Sequence, residues 1–177
     1  MGNIIAVVGM CGSGKSVACE TFENMGYTKI YFGSVTMDEL KKQNLEVTSE
    51  NEKMVREQIR RIHGMGAYAK LLLPKIEKLS QKGNIILDGL YSWEELEILK
   101  NEYPNLKLVA IVTDKDIRYA RLEERVTRKL TKEEAQARDI AEIENINKAG
   151  PIAYADYFLI NNGSKEELTK KIKDMFS

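Results

Sequence analysis

Residues 4–16 read Ile4-Ile5-Ala6-Val7-Val8-Gly9-Met10-Cys11-Gly12-Ser13-Gly14-Lys15-Ser16. The five aliphatic residues that open this stretch, with no polar interruption, read as a short strand covered on both faces. The eight that follow fit the spacing GxxxxGK with a terminal Ser, and helix-like sequence begins near Lys15. Strand, glycine-rich turn and helix start in that order form a phosphate-binding loop. The glycines let successive amide hydrogens turn inward, and the helix adds the positive end of its dipole, which suits a polyphosphate. Lys15 is placed to reach the terminal phosphates and Ser16 to ligate Mg²⁺, with the ion neutralising charge between the β- and γ-phosphates. Gly9, Met10, Cys11, Gly12, Ser13, Gly14, Lys15, Ser16 and the following Val17 are therefore the candidate nucleotide-binding residues. The Cys11 thiol has two readings, a redox control of nucleotide binding or a small side chain that fits the turn.

Outward from this loop the same alternation recurs. Aliphatic or β-branched runs at 29–32, 85–87, 106–112 and 157–160 are each followed by sequence with helical periodicity. That is the signature of a parallel α/β sheet of five strands with crossover helices on both faces. Ser or Thr followed three residues later by Glu marks helix starts at Thr36/Glu39, Ser49/Glu52, Ser92/Glu95, Thr131/Glu134 and Ser164/Glu167. Pro74 predicts a kink or a break into two helices. Residues from about 35 to 80 hold two or three helices between the second and third strands, more than one crossover needs, and form the natural place for an acceptor-binding insert.

The whole chain of 177 residues is read as one domain. Hydrophobic residues at 43% supply a core, and 27 Lys+Arg against 27 Asp+Glu leave no net charge. A balanced chain lacks the broad positive field of a duplex-wrapping protein, so a nucleic-acid partner is not expected and any polyanion must be bound locally. No run approaches the roughly 18 apolar residues of a membrane span, and the N-terminus enters a strand rather than a signal peptide, so the expected location is cytoplasmic. Cys11 and Cys19 lack metal-ligand spacing and are expected to be reduced thiols, with Cys19 packed on the first helix.

A second acidic position stands at Asp88, at the end of the run Ile85-Ile86-Leu87, where the carboxyl ends of parallel strands meet the ligand crevice. Asp88 either helps hold Mg²⁺ and place the acceptor, or opens a turn with Gly89 and caps the next helix. The eight arginines fall in two stretches while the lysines are dispersed. Arg56, Arg60 and Arg61 are candidates for the acceptor. Arg118, Arg121, Arg125 and Arg128 follow at steps of three, four and three, which on a continuous helix form one stripe, with Tyr119, Leu122 and Val126 turned to the core. With Arg138 they define an arginine-rich segment at about 118–140, suited to two-point contacts with phosphate oxygens or, alternatively, to a solvated face of ion pairs. His63, the only histidine, marks a helix C-terminus or a proton shuttle. Trp93, Tyr91 and Tyr68 either stack on a base or pack at the rim.

The chain resembles the P-loop nucleoside monophosphate kinase and dephospho-CoA kinase superfamily, and most of all its small dephospho-CoA-kinase-like or adenylate-kinase-like members. The resemblance runs from GMCGSGKS through IRRIHGMGAYAK, ILDGLYSWEELEIL, RYARLEERVTR and ARDIAEIE to ADYFLINNGSKEEL. It implies the P-loop NTPase three-layer architecture with an acceptor-binding helical insert and an arginine-bearing lid. It also implies that Arg121, Arg125, Arg128 and Arg138 include the catalytic lid arginines beside Lys15 and Asp88, and that the turn Asn161-Asn162-Gly163 lies near the donor's adenine. The activity implied is transfer of the γ-phosphoryl group from ATP, with Mg²⁺, to a nucleotide-like small molecule. A (deoxy)nucleoside monophosphate is the first choice of acceptor and dephospho-CoA the second; a nucleotide-gated binding module is the alternative of another class. Three departures bear on the acceptor. Tyr91 stands where relatives usually carry the Arg of Asp-Gly-x-Arg-Ser, the Asp-x-Asp after the second strand is replaced by Tyr31-Phe32-Gly33-Ser34, and no paired aspartates follow the lid arginines.

Overall fold

The structure, a computed structural model, describes residues 2–177. Strand β1 is Ile4–Val8, followed by helix α1 (Lys15–Asn24), β2 (Thr28–Tyr31), and three helices, α2 (Ser34–Lys42), α3 (Ser49–His63) and α4 (Ala67–Ser80). Then come β3 (Ile85–Asp88), α5 (Trp93–Glu102), β4 (Lys107–Val112), α6 (Lys115–Glu123), α7 (Lys132–Ile146), α8 (Ala149–Ala153), β5 (Tyr157–Ile160) and α9 (Lys165–Phe176). The five strands form one parallel sheet in the order β2-β3-β1-β4-β5. This is the P-loop NTPase α/β fold.

Period-two alternation in β1 builds both layers. Ile4, Ala6 and Val8 join Ile30, Phe32, Ile76 and Leu96 in the core under α2–α5, while Ile5 and Val7 pack with Phe22, Val109 and Ile172 under α1 and α9. Every residue of β1 is buried, as a strand at the centre of a doubly covered sheet must be. The register sets Val7 opposite Asp88 of β3 and Val109 of β4, so the phosphate loop leaves β1 with Asp88 at its side.

Capping boxes close at Ser92/Glu95 and Thr131/Glu134, and Ser164 accepts from the Glu167 amide. Two expected starts differ. Thr48, not Ser49, caps α3, and Thr36 lies inside α2 with its hydroxyl 2.6 Å from that of Tyr68. A Thr buried against a hydrogen-bonding partner has no reason to cap, and Glu52 is likewise drawn inward to two arginines. Pro74 does not split its segment: α4 is one helix, held on both sides of the proline by buried Ala69, Leu72 and Ile76. The arginine stripe is also corrected. Helix α6 ends at Glu123, so Arg125 and Arg128 lie in the loop before α7, and Val126 is fully exposed instead of packed. No helix among the described residues is long and apolar enough to cross a membrane.

Candidate active site

The phosphate loop is gripped from outside before any ligand is considered. Asn161, buried at the end of β5, donates from Nδ2 to the Ser13 carbonyl at 2.8 Å, and the Thr113 hydroxyl is shared between the carbonyls of Ser13 and Asn161, 3.0 Å from each. Gly14 takes φ +103°, and a Cβ there would stand 2.3 Å from Asn161 Nδ2, so this position requires glycine. Arg118 reaches the Cys11 carbonyl at 3.0 Å and pairs in two-point fashion with Asp139 of α7 at 3.0 and 2.6 Å. The Tyr119 hydroxyl donates to the same carboxylate at 3.1 Å. Arg118, read as part of a phosphate-facing stripe, is thus a buried tie between α6, α7 and the loop, and Asp139 is its partner on α7. The solvated face of ion pairs does not form here either: neither Asp114/Arg118 nor Arg121/Glu124 is an ion pair among the described residues.

Ser13 Oγ is buried without a hydrogen-bond partner, and Lys15 Nζ donates to the Met10 carbonyl at 2.9 Å. Burial, and then the nearby Lys148 ammonium, bring the Lys15 pKa down to about 8. Ser16 is exposed at the start of α1. Burial raises the Asp88 carboxyl above its ordinary value, against the pull of Lys29 and Lys15. Cys19 lies fully buried, its thiol pushed up by that burial and by the Asp88 carboxylate, which suits packing rather than reactivity.

On the side of α6 and β5 a pocket of about 210 Å³ is lined by Gly14, Val17, Arg121, Asn161, Gly163 and Leu168. Arg121 donates to the Gly163 carbonyl at 2.8 Å and so belongs to this pocket, away from the other expected lid arginines. On the other side a cavity of about 480 Å³ opens between α2, α3, α7 and Tyr91, and takes in Arg56, Arg60, Arg128 and Arg138. Glu52, buried on α3, accepts from Arg56 at 3.3 Å and from Arg128 at 2.7 Å. Arg60 lies 5.3 Å over the Tyr68 ring with its Nε buried and unpartnered. Arg61 turns outward from α3, is exposed, and does not line the cavity, because the helical step of one residue carries it to another face. Arg125 is exposed too, with only the Cys11 thiol in reach at 4.0 Å. His63 ends α3 ahead of Gly64. Tyr68 and Tyr91 are cavity wall, and Trp93 packs edge-on to Tyr154.

Sequence reasoning missed the group that joins the two halves. Lys148, between α7 and α8, is 2% exposed. Its ammonium is bonded to Glu142 and lies 5.1 Å over the ring of Tyr91, the residue standing where the resemblance expects an arginine. Arg138 Nε reaches the other oxygen of Glu142 at 3.1 Å. Although burial would raise it, these two cations keep the Glu142 carboxyl below its ordinary range. Only the i,i+4 spacing of Arg138 and Glu142 was visible beforehand.

Comparison with known proteins agrees with this architecture. A family model described as an AAA domain matches residues 5–142. A UPF0200 protein of Thermococcus gammatolerans is 37% identical, over 97% of this chain and 93% of its own length. Among solved structures, a gluconokinase from Sinorhizobium meliloti (15% identity, TM-score 0.59) is covered over 96% of this chain and 89% of its own. A shikimate kinase from Bacteroides thetaiotaomicron (14% identity, TM-score 0.58) is covered over 98% and 97%. At such identities these two show the fold alone, while the sequence relative and the family model show kinship: the chain belongs to the UPF0200 family, built on the P-loop fold that small-molecule kinases share.

Proposed function

We propose that this protein is an ATP- and Mg²⁺-dependent kinase that transfers the γ-phosphoryl group to a nucleotide-like acceptor, a (deoxy)nucleoside monophosphate. The observation that carries the reading is the nearness of the two sites, bridged by Lys148. A phosphate cradle with an unpartnered buried hydroxyl stands beside a 480 Å³ cavity walled by arginines and tyrosines, and Glu142 and Tyr91 of that cavity hold a lysine that also bears on Lys15. The smaller pocket at Arg121 and Gly163 has the size and edge groups for the donor's base.

Arginines fit an acceptor that carries phosphate, because a planar guanidinium meets two phosphate oxygens at once. In the transfer an acceptor phosphate oxygen forms a bond to the γ-phosphorus as the bond from that phosphorus to the β–γ bridging oxygen breaks, leaving ADP. A phosphate oxygen is already ionised, so no general base is required. Lys15 and the cavity arginines hold and orient the charged groups, and positioning with charge stabilisation supplies most of the acceleration. Ser16 and Asp88 offer the hard oxygen ligands that would hold Mg²⁺, which when bound neutralises charge between the β- and γ-phosphates.

A second acceptor chemistry has two observations in its favour. Asp88 carries a raised pKa at the strand end, as a base for a hydroxyl acceptor would, and the two fold neighbours are named for kinases of hydroxyl-bearing acids. Incubation with Mg²⁺-ATP and a panel of (deoxy)nucleoside monophosphates, dephospho-CoA and polyhydroxy acids, each followed by mass spectrometry, separates these. One phosphoryl group gained on a monophosphate supports the proposal, and gain only on a hydroxyl acceptor replaces it with the second. ATP binding without any product turns the assignment to a nucleotide-gated module. Lys15→Ala is expected to lower kcat by at least about 100-fold with the fold intact; near-native turnover in that variant would remove Lys15 from the chemistry.

A further inference from the structure

We infer that Lys148 contacts the γ-phosphoryl group of the donor nucleotide, entering the transfer site from the junction of α7 and α8. The inference rests on the reading above in that a nucleoside triphosphate occupies the cradle.

A lysine at 2% exposure needs a reason, since lysines are almost never fully buried unless paired. Glu142 supplies a partner, but not an exclusive one, because its second oxygen is bonded to Arg138. Lys15, close enough to Lys148 for the two ammonium groups to repel, donates only to a carbonyl. Three cations thus gather around one directly bonded carboxylate, with Lys148 buried and the Arg138 side chain 48% exposed. Asp88 adds a negative charge nearby without bonding to any of them. Such a cluster is poorly compensated when empty, and an anion between Lys15 and Lys148 relieves it.

The location narrows which anion. Lys15 belongs to the cradle, whereas Tyr91 and Glu142, the two groups that Lys148 touches, line the acceptor cavity. On the reading above the transferring phosphoryl group passes between these two sites, and Lys148 stands between Lys15 on one side and Tyr91 and Glu142 on the other. The arginines nearest by sequence expectation are less suited to it: Arg125 is exposed, Arg128 is occupied by Glu52, and Arg121 sits at the base pocket. Lys148 is also anchored, by its own amide on the Glu142 carbonyl at 3.2 Å and by buried Pro151 three residues on. Its ammonium stabilises the non-bridging oxygens of the migrating group.

The test is equilibrium binding of Mg²⁺-ADP and of the Mg²⁺ complex of the non-hydrolysable β,γ-imido analogue of ATP. Wild-type protein is compared with Lys148→Met, Lys148→Arg and Lys15→Ala, with near-ultraviolet circular dichroism to confirm folding. Lys148→Met is expected to weaken the imido analogue by about tenfold or more while ADP stays within about twofold, and Lys148→Arg to recover part of the difference. Wild type and Lys148→Met showing the same preference for the analogue would overturn the role of Lys148 and leave the kinase reading standing; so would equal loss of both nucleotides. Wild type binding neither nucleotide would instead overturn the nucleotide reading itself. Should Lys148→Met not fold, ε-¹⁵N-lysine-labelled wild type answers the question, with the signal assigned by its absence in Lys148→Arg. A Lys148 ammonium resonance that moves with the analogue and not with ADP supports the contact, and one that moves equally with both overturns it.

Discussion

Around Ser13 and Cys11 the loop carbonyls are held by Asn161, Thr113 and Arg118, drawn from β5, the end of β4 and α6, whereas Arg125 and Arg128 ride an exposed loop between α6 and α7. The two regions, which the proposed function sets around one ligand, are built on opposite terms. On the cradle side the shape is fixed by buried hydrogen bonds, so the cost of ordering it is met during folding and no rearrangement is needed when phosphate arrives. On the arginine side charge is presented on long solvated stems that contribute little to stability and are therefore free to follow a ligand. The contrast predicts that damage to the first region shows in unfolding, and damage to the second shows in binding.

The largest effect on stability belongs to Asp139→Ala. It strips the carboxylate from Arg118 and Tyr119 together and leaves a buried guanidinium beside the phosphate loop. Removing one partner of a buried pair costs about 3–5 kcal/mol, and a urea unfolding curve reads it directly. The double variant Arg118→Leu/Asp139→Leu should recover a good part of that loss, because no charge is then left uncompensated. A loss below about 1 kcal/mol in Asp139→Ala would mean that the cradle is not held from α7, and the contrast between the regions would collapse.

Glu95 tests the cavity side by pH. Its Oε2 accepts from the amides of Tyr91 and Ser92 to complete the cap of α5, and its buried Oε1 has no partner. Burial raises its pKa to about 7, against those amide bonds and Arg60. With the folded pKa above the unfolded one, the native state binds the extra proton between about pH 4.5 and 7. Stability from this group is therefore full below about pH 4.5 and is lost as pH rises through 7. Wild type should lose about 2 kcal/mol between pH 5 and 8 relative to Glu95→Gln, whose amide has no such titration. Parallel pH profiles for the two proteins would show that the wall behind Tyr91 is wet enough to leave Glu95 unshifted.

The sequence made the sheet, its two layers and the phosphate loop legible because each rests on short-range rules: an uninterrupted aliphatic run, a fixed glycine spacing, a Ser–Glu pair at a helix start. The strand limits at 157–160 and the box at Ser92/Glu95 needed nothing further. The arginine stripe failed for a long-range reason. Three-and-four spacing holds only while the helix lasts, and α6 stops at Glu123, where Leu130 returns its amide to the Leu122 carbonyl at 3.2 Å and Arg128 takes a positive φ. Arg60 and Arg61 are adjacent in sequence yet only one meets the cavity, and Lys148 had no local mark at all. Its significance comes from Glu142 on α7 and from Tyr91, separated from α7 in sequence by α5, β4 and α6 and brought beside it by the fold.

Arg128→Ala gives the smallest expected effect on stability and the finest test of the contrast. Its one ion pair is to Glu52, 2.7 Å away, with the arginine side chain 67% exposed and the glutamate 8%. Were Glu52 left alone, a buried carboxylate would make the variant costly. Arg56 of the same helix still holds its other oxygen at 3.3 Å, however, so the charge stays paired and the expected change is below about 0.5 kcal/mol by urea midpoint. The measurement should be repeated at low and high salt, since a screened, solvent-facing pair weakens as ionic strength rises and a structural one does not. A loss of 2 kcal/mol or more, insensitive to salt, would mean that the 124–131 loop is pinned to α3 as part of the fold, and that the arginine side is built on the same terms as the cradle.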